Sequence, residues 1–193
     1  MNEQALSLDP LSLDQVLIRR SDASQEIVDV DELSVKLVIF ELGGEWFAFP
    51  GEAIREILPP VDIFFVPGCP SSLEGVINVR GDIESVIRLA ELLGKPVVEP
   101  AATSSILRGV GGKVGGKIGG KTGGGIGDGM HSGIRVDRVV DVLDVVQSAI
   151  GPPPSTLPEH MRRIVSGLMR HQDKPVVILD LNRIFEDYQR GLG

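Results

Sequence analysis

The residues best placed by type and spacing to do chemistry are Gly115, Gly120, Lys121 and Thr122. Gly-x4-Gly-Lys-Thr is the spacing of a phosphate-cradling loop, in which backbone amides and the lysine hold phosphate and the hydroxyl serves Mg²⁺. Downstream, Val176-Val177-Ile178-Leu179-Asp180 has the look of the apolar strand whose terminal carboxylate helps hold that metal. Together they invite an ATPase or GTPase reading. Their surroundings reject it. A working phosphate loop needs a buried strand before it and, directly after, a helix whose free amides and dipole bind the anion. Here Thr122 is followed by Gly123-Gly124-Gly125-Ile126-Gly127, which does not start a helix. Gly-Gly-Lys recurs every four residues from Gly111 to Lys121, so the repeat itself generates the match.

Other chemistry is thinner still. Cys69 is the one cysteine of the chain, which excludes a disulfide framework and a cysteine metal cluster and points to a reducing compartment. His131, His160 and His171 have no cysteine or carboxylate at metal-ligand spacing. There is no Gly-x-Ser-x-Gly elbow. Nothing reads as a catalytic, cofactor-binding or metal site, and Lys113, Lys117 and Lys121 read as solubilising charges or a weak contact with an acidic partner. A formal charge of -8 argues against non-specific nucleic-acid binding. No apolar run approaches the ~20 residues that span a bilayer, and Met1-Asn2-Glu3-Gln4 does not open a secretory signal. A cytoplasmic protein without direct membrane insertion is expected.

The elements that must carry any function are short. Hydrophobic residues make up 42% of the chain but aromatics only 4%, so the core must be built mainly from Val, Ile and Leu. Residues 1–34 read as a flexible acidic extension with one short helix behind the Ser12–Gln15 capping box. Val35–Leu42 and Trp46–Phe49 flank Gly43-Gly44 as a β-hairpin. Glu52–Leu58 is expected to form a short helix stopped by Pro59-Pro60. Residues 61–66 and 73–79 read as strands, Val86–Leu93 as a helical turn or two, and Ile106-Leu107, Ile134–Val140 and Val176–Leu179 as later strands. Pro152-Pro153-Pro154 is an extended connector, and Ile184–Gln189 a closing helix. Residues 109–133 read as a glycine-rich mobile loop joining two strands. Deleting 111–129 is therefore expected to move the melting temperature by less than about 5 °C, since loop-closure entropy varies slowly with length.

One stretch is more specific than any element. Val66-Pro67-Gly68-Cys69-Pro70, then Gly75-Val76-Ile77-Asn78, then Arg80-Gly81-Asp82 resembles the signature of CheW-like domains. Ala53–Leu58 is similar to the family's Glu-Ile-Leu segment, and Gly43–Pro50 to its first hairpin. Gly133–Val139 resembles its Val-Asp-Arg-Val strand, while Ser166-Gly167-Leu168 and Val176–Leu181 resemble its terminal strands. The matches run in one order over residues 35–189. The resemblance implies an all-β fold of two intertwined five-stranded SH3-like barrels with short helices and a C-terminal helix. It also implies a non-enzymatic coupling scaffold. One surface would grip the cytoplasmic coiled-coil tip of a methyl-accepting chemoreceptor, and another would dock the regulatory domain of a chemotaxis histidine kinase at the membrane receptor array. The alternative keeps the fold for another chemosensory circuit such as pilus motility.

Three departures stand out. Ile83-Glu84-Ser85-Val86-Ile87-Arg88-Leu89 replaces the family's apolar-apolar-Pro-Val-Ile-Asp-Leu, the glycine-rich segment replaces a short connection, and the N-terminal extension is long.

Within the resemblance, the receptor-binding candidates are Ile54, Glu56, Val79, Arg80 and Ile83: a carboxylate, a guanidinium suited to bidentate pairing, and apolar residues for a groove that takes a helix. The plainer reading pairs Arg80 internally with Glu56 and puts the apolar three in the core. Pro67, Gly68, Gly75, Asn78 and Gly81 read as turn residues.

Overall fold

The computed structural model describes residues 32–96, 103–111 and 130–191. The N-terminal extension up to Asp31 and the repeat at 112–129, with its phosphate-loop spacing, lie outside the described residues.

Ser34–Leu42 (β1) and Glu45–Pro50 (β2) form the expected hairpin. Gly43 and Gly44 both take positive φ, 60° and 79°, the pair of left-handed residues that lets a two-residue turn follow the strand twist. A single 3₁₀ turn, Gly51–Ala53, then leads into Ile54–Leu58 (β3), which corrects the helix expected at 52–58. The β-branched Ile54 and Ile57 pair instead with Ser105–Gly111 (β6), so cross-strand bonding overrides local periodicity. Residues 61–66 contribute one bridge, Phe64 to Val76, rather than a full strand.

Leu73–Val79 (β4) and Asp82–Ile87 (β5) form a second hairpin, followed by one helical turn at Leu89–Leu92 (α1). β6 pairs with Met130–Val136 (β7) as far as Gly111 opposite Met130, so both strands reach further into the glycine-rich region than expected. Arg138–Val146 (β8), a short helix at Glu159–Ile164 (α2), Val165–His171 (β9), Lys174–Leu179 (β10) and a terminal helix at Leu181–Gln189 (α3) complete the order. Asp180 caps α3, its Oδ1 accepting from the Arg183 amide at 3.3 Å. The carboxylate that ends the apolar run is thus a helix cap.

The strands form two five-stranded sheets, ordered β8-β1-β2-β10-β9 and β3-β6-β7-β5-β4. β1 and β2 start the first sheet, the chain leaves to build the whole of the second, and β8 to β10 return to finish the first. That is the intertwined all-β arrangement expected. Each sheet closes by the same device. Beyond β3, Phe64 exchanges both backbone hydrogen bonds with Val76 of β4, at 2.8 and 2.9 Å. Beyond β8, Gly151 does the same with Leu168 of β9, again at 2.8 and 2.9 Å. Leu37, Ile39, Trp46, Val176 and Ile178 fill the first barrel, and Ile77, Val79, Val86 and Ile106 the second. A larger cluster, with Phe40, Phe47, Phe49, Leu107, Ile134, Leu179 and Phe185 among its members, joins the two.

Candidate functional site

In the second barrel, side chains on β4 and β5 alternate between the interior and the outer face. Ile77 and Val79 point inward; Val76 and Asn78 point outward, opposite Ser85 and Ile83. Phe64 lies directly across from Val76 in the closing bridge. Phe64, Val76 and Ile83 therefore form one apolar stripe on the outside of the barrel, with Phe64 60% and Ile83 67% exposed. Exposed, grouped apolar side chains of this kind mark interaction surfaces.

Arg80 and Gly81 make the turn at the end of the hairpin, with φ of 56° and 98°. Asn78 Oδ1 fixes that turn by accepting from the Gly81 amide at 2.8 Å. Pro67 and Gly68 turn the chain ahead of β4, Gly68 at φ 82°. Behind the stripe runs a row of alternating charges. Arg80 Nη2 donates to Glu56 Oε1 at 2.7 Å, and Arg108 Nη1 donates to Glu56 Oε2 at 2.7 Å. Arg108 also grips both oxygens of Glu84, Nε donating at 2.9 Å and Nη2 completing the pair. These carboxylates and their hydrogen bonds push the Arg108 pKa up, so it stays charged at any practical pH.

The sequence departures on β5 and just after it now have partners. Glu84 has Arg108, Ser85 shares a 2.9 Å hydrogen bond with Ser132, and Arg88 donates to the Ser71 carbonyl at 3.1 Å. Near Arg88, Glu74 is tucked under β7, paired with Arg135 at 2.8 Å, while its Oε2 has no hydrogen-bond partner. Burial pushes the Glu74 carboxyl above its usual range, and Arg135 and Arg88 pull only part of that back. Below the unfolded-state pKa both states hold the proton and this group does not penalise folding. As pH rises through that value and on through the raised folded value, the folded state is penalised progressively. The melting temperature of Glu74→Gln minus that of wild type is therefore expected to increase from about pH 4 to pH 7. A difference that stays flat or shrinks over a pH series of thermal melts would contradict the assignment.

A second apolar face lies where the two sheets meet. In register, Val142 on β8 sits opposite Val38 on β1, and Lys36 opposite Asp144, with which it forms a 3.1 Å ion pair. Val142 is 46% exposed, whereas Val38 beneath it belongs to the central cluster. The 3₁₀ turn packs beside them: a side chain at Gly51 would meet the Lys36 stem at 2.9 Å, and Ala53 and Ile54 lie against the same cluster. α3 lies across β6. Gly109 and Gly111 leave room for it, since a Cβ there would fall 2.6 Å from Leu181 and 2.8 Å from Phe185.

The five residues expected on one receptor surface thus divide. Ile83 belongs to the outer stripe, Arg80 makes the hairpin turn at its end, and Glu56 is ion-paired with Arg80, as the plainer reading supposed. Ile54 belongs to the seam face, and Val79 is interior to the second barrel. Phe64 and Val142 were missed as surface residues. Their signals were present: adjacent Phe64-Phe65 in a chain with only six phenylalanines, and a mostly apolar run from Val139 to Val146 in which Asp141 and Asp144 set no clean polar face.

The family model of the CheW-like domain matches residues 36–189. A probable chemotaxis protein CheW of Rhizobium etli is 26% identical over 152 residues, covering 79% of this chain and 88% of that protein. Chemotaxis protein CheW of Helicobacter pylori is 25% identical over 168 residues, covering 87% and 91%. Among solved structures, the scaffolding protein TtCheW from Thermoanaerobacter tengcongensis superposes with a TM-score of 0.64 at 27% identity, over 80% of this chain and 94% of that one.

Proposed function

The chain belongs to the CheW-like domain family, and on that premise we propose that it is a chemotaxis coupling adaptor that acts by binding two protein partners, not by catalysis. Its partners are the cytoplasmic tip of a chemoreceptor and the regulatory domain of a histidine kinase, and it works in the cytoplasm, brought to membrane arrays through them. The relatives are chemotaxis proteins, which favours this circuit over pilus motility.

The observation that carries the reading is that exposed apolar side chains fall on two different sheets, Phe64 and Ile83 on the second and Val142 on β8 of the first. An adaptor needs two contacts that do not compete. The seam between the barrels, with Val142 and Ile54, suits an amphipathic receptor helix laid along it. The outer stripe of Phe64, Val76 and Ile83 lies on the outside of a closed sheet and suits a folded domain, with Arg80 as a charged rim. Ile83→Asp is expected to weaken binding of the kinase regulatory domain by at least about tenfold and to leave receptor-tip binding within about twofold; Val142→Asp is expected to do the reverse. Titration calorimetry with each purified partner measures both. If either variant weakened both partners equally with an unchanged melting temperature, the two-face reading would fail.

A further inference from the structure

Glu56 uses both of its carboxylate oxygens, one for Arg80 and one for Arg108. Its orientation is therefore set from behind by Arg108, which in turn is anchored by Glu84. The backbone makes that reach possible. Arg108 on β6 pairs in register with Glu56 on β3 and, on its other side, with Gly133 on β7. A side chain at Gly133 would press into Ile106 at 2.9 Å and Val86 at 3.3 Å. With glycine there, the guanidinium passes over β7 to Glu84 on β5. Arg108 and Glu84 are mostly buried, whereas Arg80 is 78% exposed. A long exposed arginine side chain ordinarily samples many rotamers. Here one end of its range is fixed by an acceptor that is itself fixed.

We propose that Glu84 and Arg108 are positioning residues for partner recognition: through Glu56 they hold the Arg80 guanidinium at the rim of the Phe64–Val76–Ile83 stripe and so set the charge specificity of that face. The inference rests on the stripe being the kinase-docking face. Neither residue touches the partner. Both act by restricting where Arg80 can be when the partner arrives, which lowers the ordering cost of the complex.

A double-mutant cycle with the kinase regulatory domain as probe separates positioning from mere stabilisation. Wild type, Arg80→Ala, the paired Glu84→Leu/Arg108→Leu variant and the triple variant are compared by calorimetric Kd and by thermal melting. Replacing both buried charges with apolar side chains is expected to keep the melting temperature within about 5 °C, because a paired replacement leaves no uncompensated charge. Arg80→Ala is expected to weaken binding about tenfold in wild type but less than about twofold in the paired background, and the paired variant itself to bind about fivefold more weakly. Should the paired variant fold poorly, Arg108→Lys keeps the cation but loses the two-way fork, and is expected to uncouple Arg80 in the same way. An equal cost of Arg80→Ala in both backgrounds would overturn the proposal. Ile83→Asp tells the two failures apart: if it weakens binding while the paired variant does not, only the positioning role falls; if it has no effect, the docking face falls with it.

Discussion

Gly75→Val is expected to leave little or no folded protein, and Gly75→Ala to lower the melting temperature by about 10 °C, some 3 kcal/mol or more for a domain of this size. The second barrel closes where Phe64 crosses β4, and the crossing segment runs directly over Gly75. A Cβ there would lie 2.9 Å from the Phe64 carbonyl carbon, nearer still to its oxygen, and 2.8 Å from the Ile63 methyl. Backbone cannot give way as a side chain can, because Phe64 is tied by two hydrogen bonds to Val76. Relief would require opening the barrel, which unseats Ile63 and the interior cluster of Ile77, Val79 and Val86. The first barrel supplies an internal control. Gly167 occupies the matching position before Leu168, but a Cβ there meets the Ile150 methyl at 2.7 Å and the Gly151 carbonyl oxygen only at 3.2 Å. A methyl can rotate aside, so Gly167→Ala is expected to cost about 1–2 kcal/mol. Circular-dichroism melts of the two alanine variants test the comparison. Gly75→Ala melting within 2 °C of wild type would show that the closure is not tight.

Arg108→Met is expected to destabilise the fold by about 2–4 kcal/mol, whereas the paired Glu84→Leu/Arg108→Leu change is expected to be close to neutral. Removing the guanidinium alone strands Glu84, whose side chain is only 12% exposed, and returns Glu56 to a single partner. The cost is therefore mainly that of an unpaired carboxylate in the mouth of the barrel. It sits at the lower end of the range for buried pairs because the mouth opens toward solvent around Arg80. Urea unfolding of the single and paired variants measures it. A single variant as stable as the pair would mean that water already satisfies Glu84.

Some of this was readable from residue order. The Gly43-Gly44 hairpin and the closing helix needed only turn chemistry and periodicity, because they are local. The helix expected at 52–58 was not so determined. Ile54-Arg55-Glu56-Ile57-Leu58 has helical spacing, but the neighbouring β6 offers it backbone hydrogen bonds that a one-turn helix cannot match. The candidate site divided in the same way. Asn78 and Arg80 could be named from their place around a turn, while the inward or outward aim of Val79 and Ile83 depended on register, where one step moves a side chain to the other face.

By itself, then, the sequence determined the family, the all-β class and the turns, since each is written in neighbouring residues or in the ordered matches from Gly43 to Leu181. Only the tertiary structure decided that Phe64 joins Val76 and Ile83 in one stripe, that Ile54 lies on a different face, and that Glu84 finds Arg108 across three strands. These are contacts between segments distant in the chain. Their positions follow from how the two sheets close and pack, and no local pattern of residues encodes that closure.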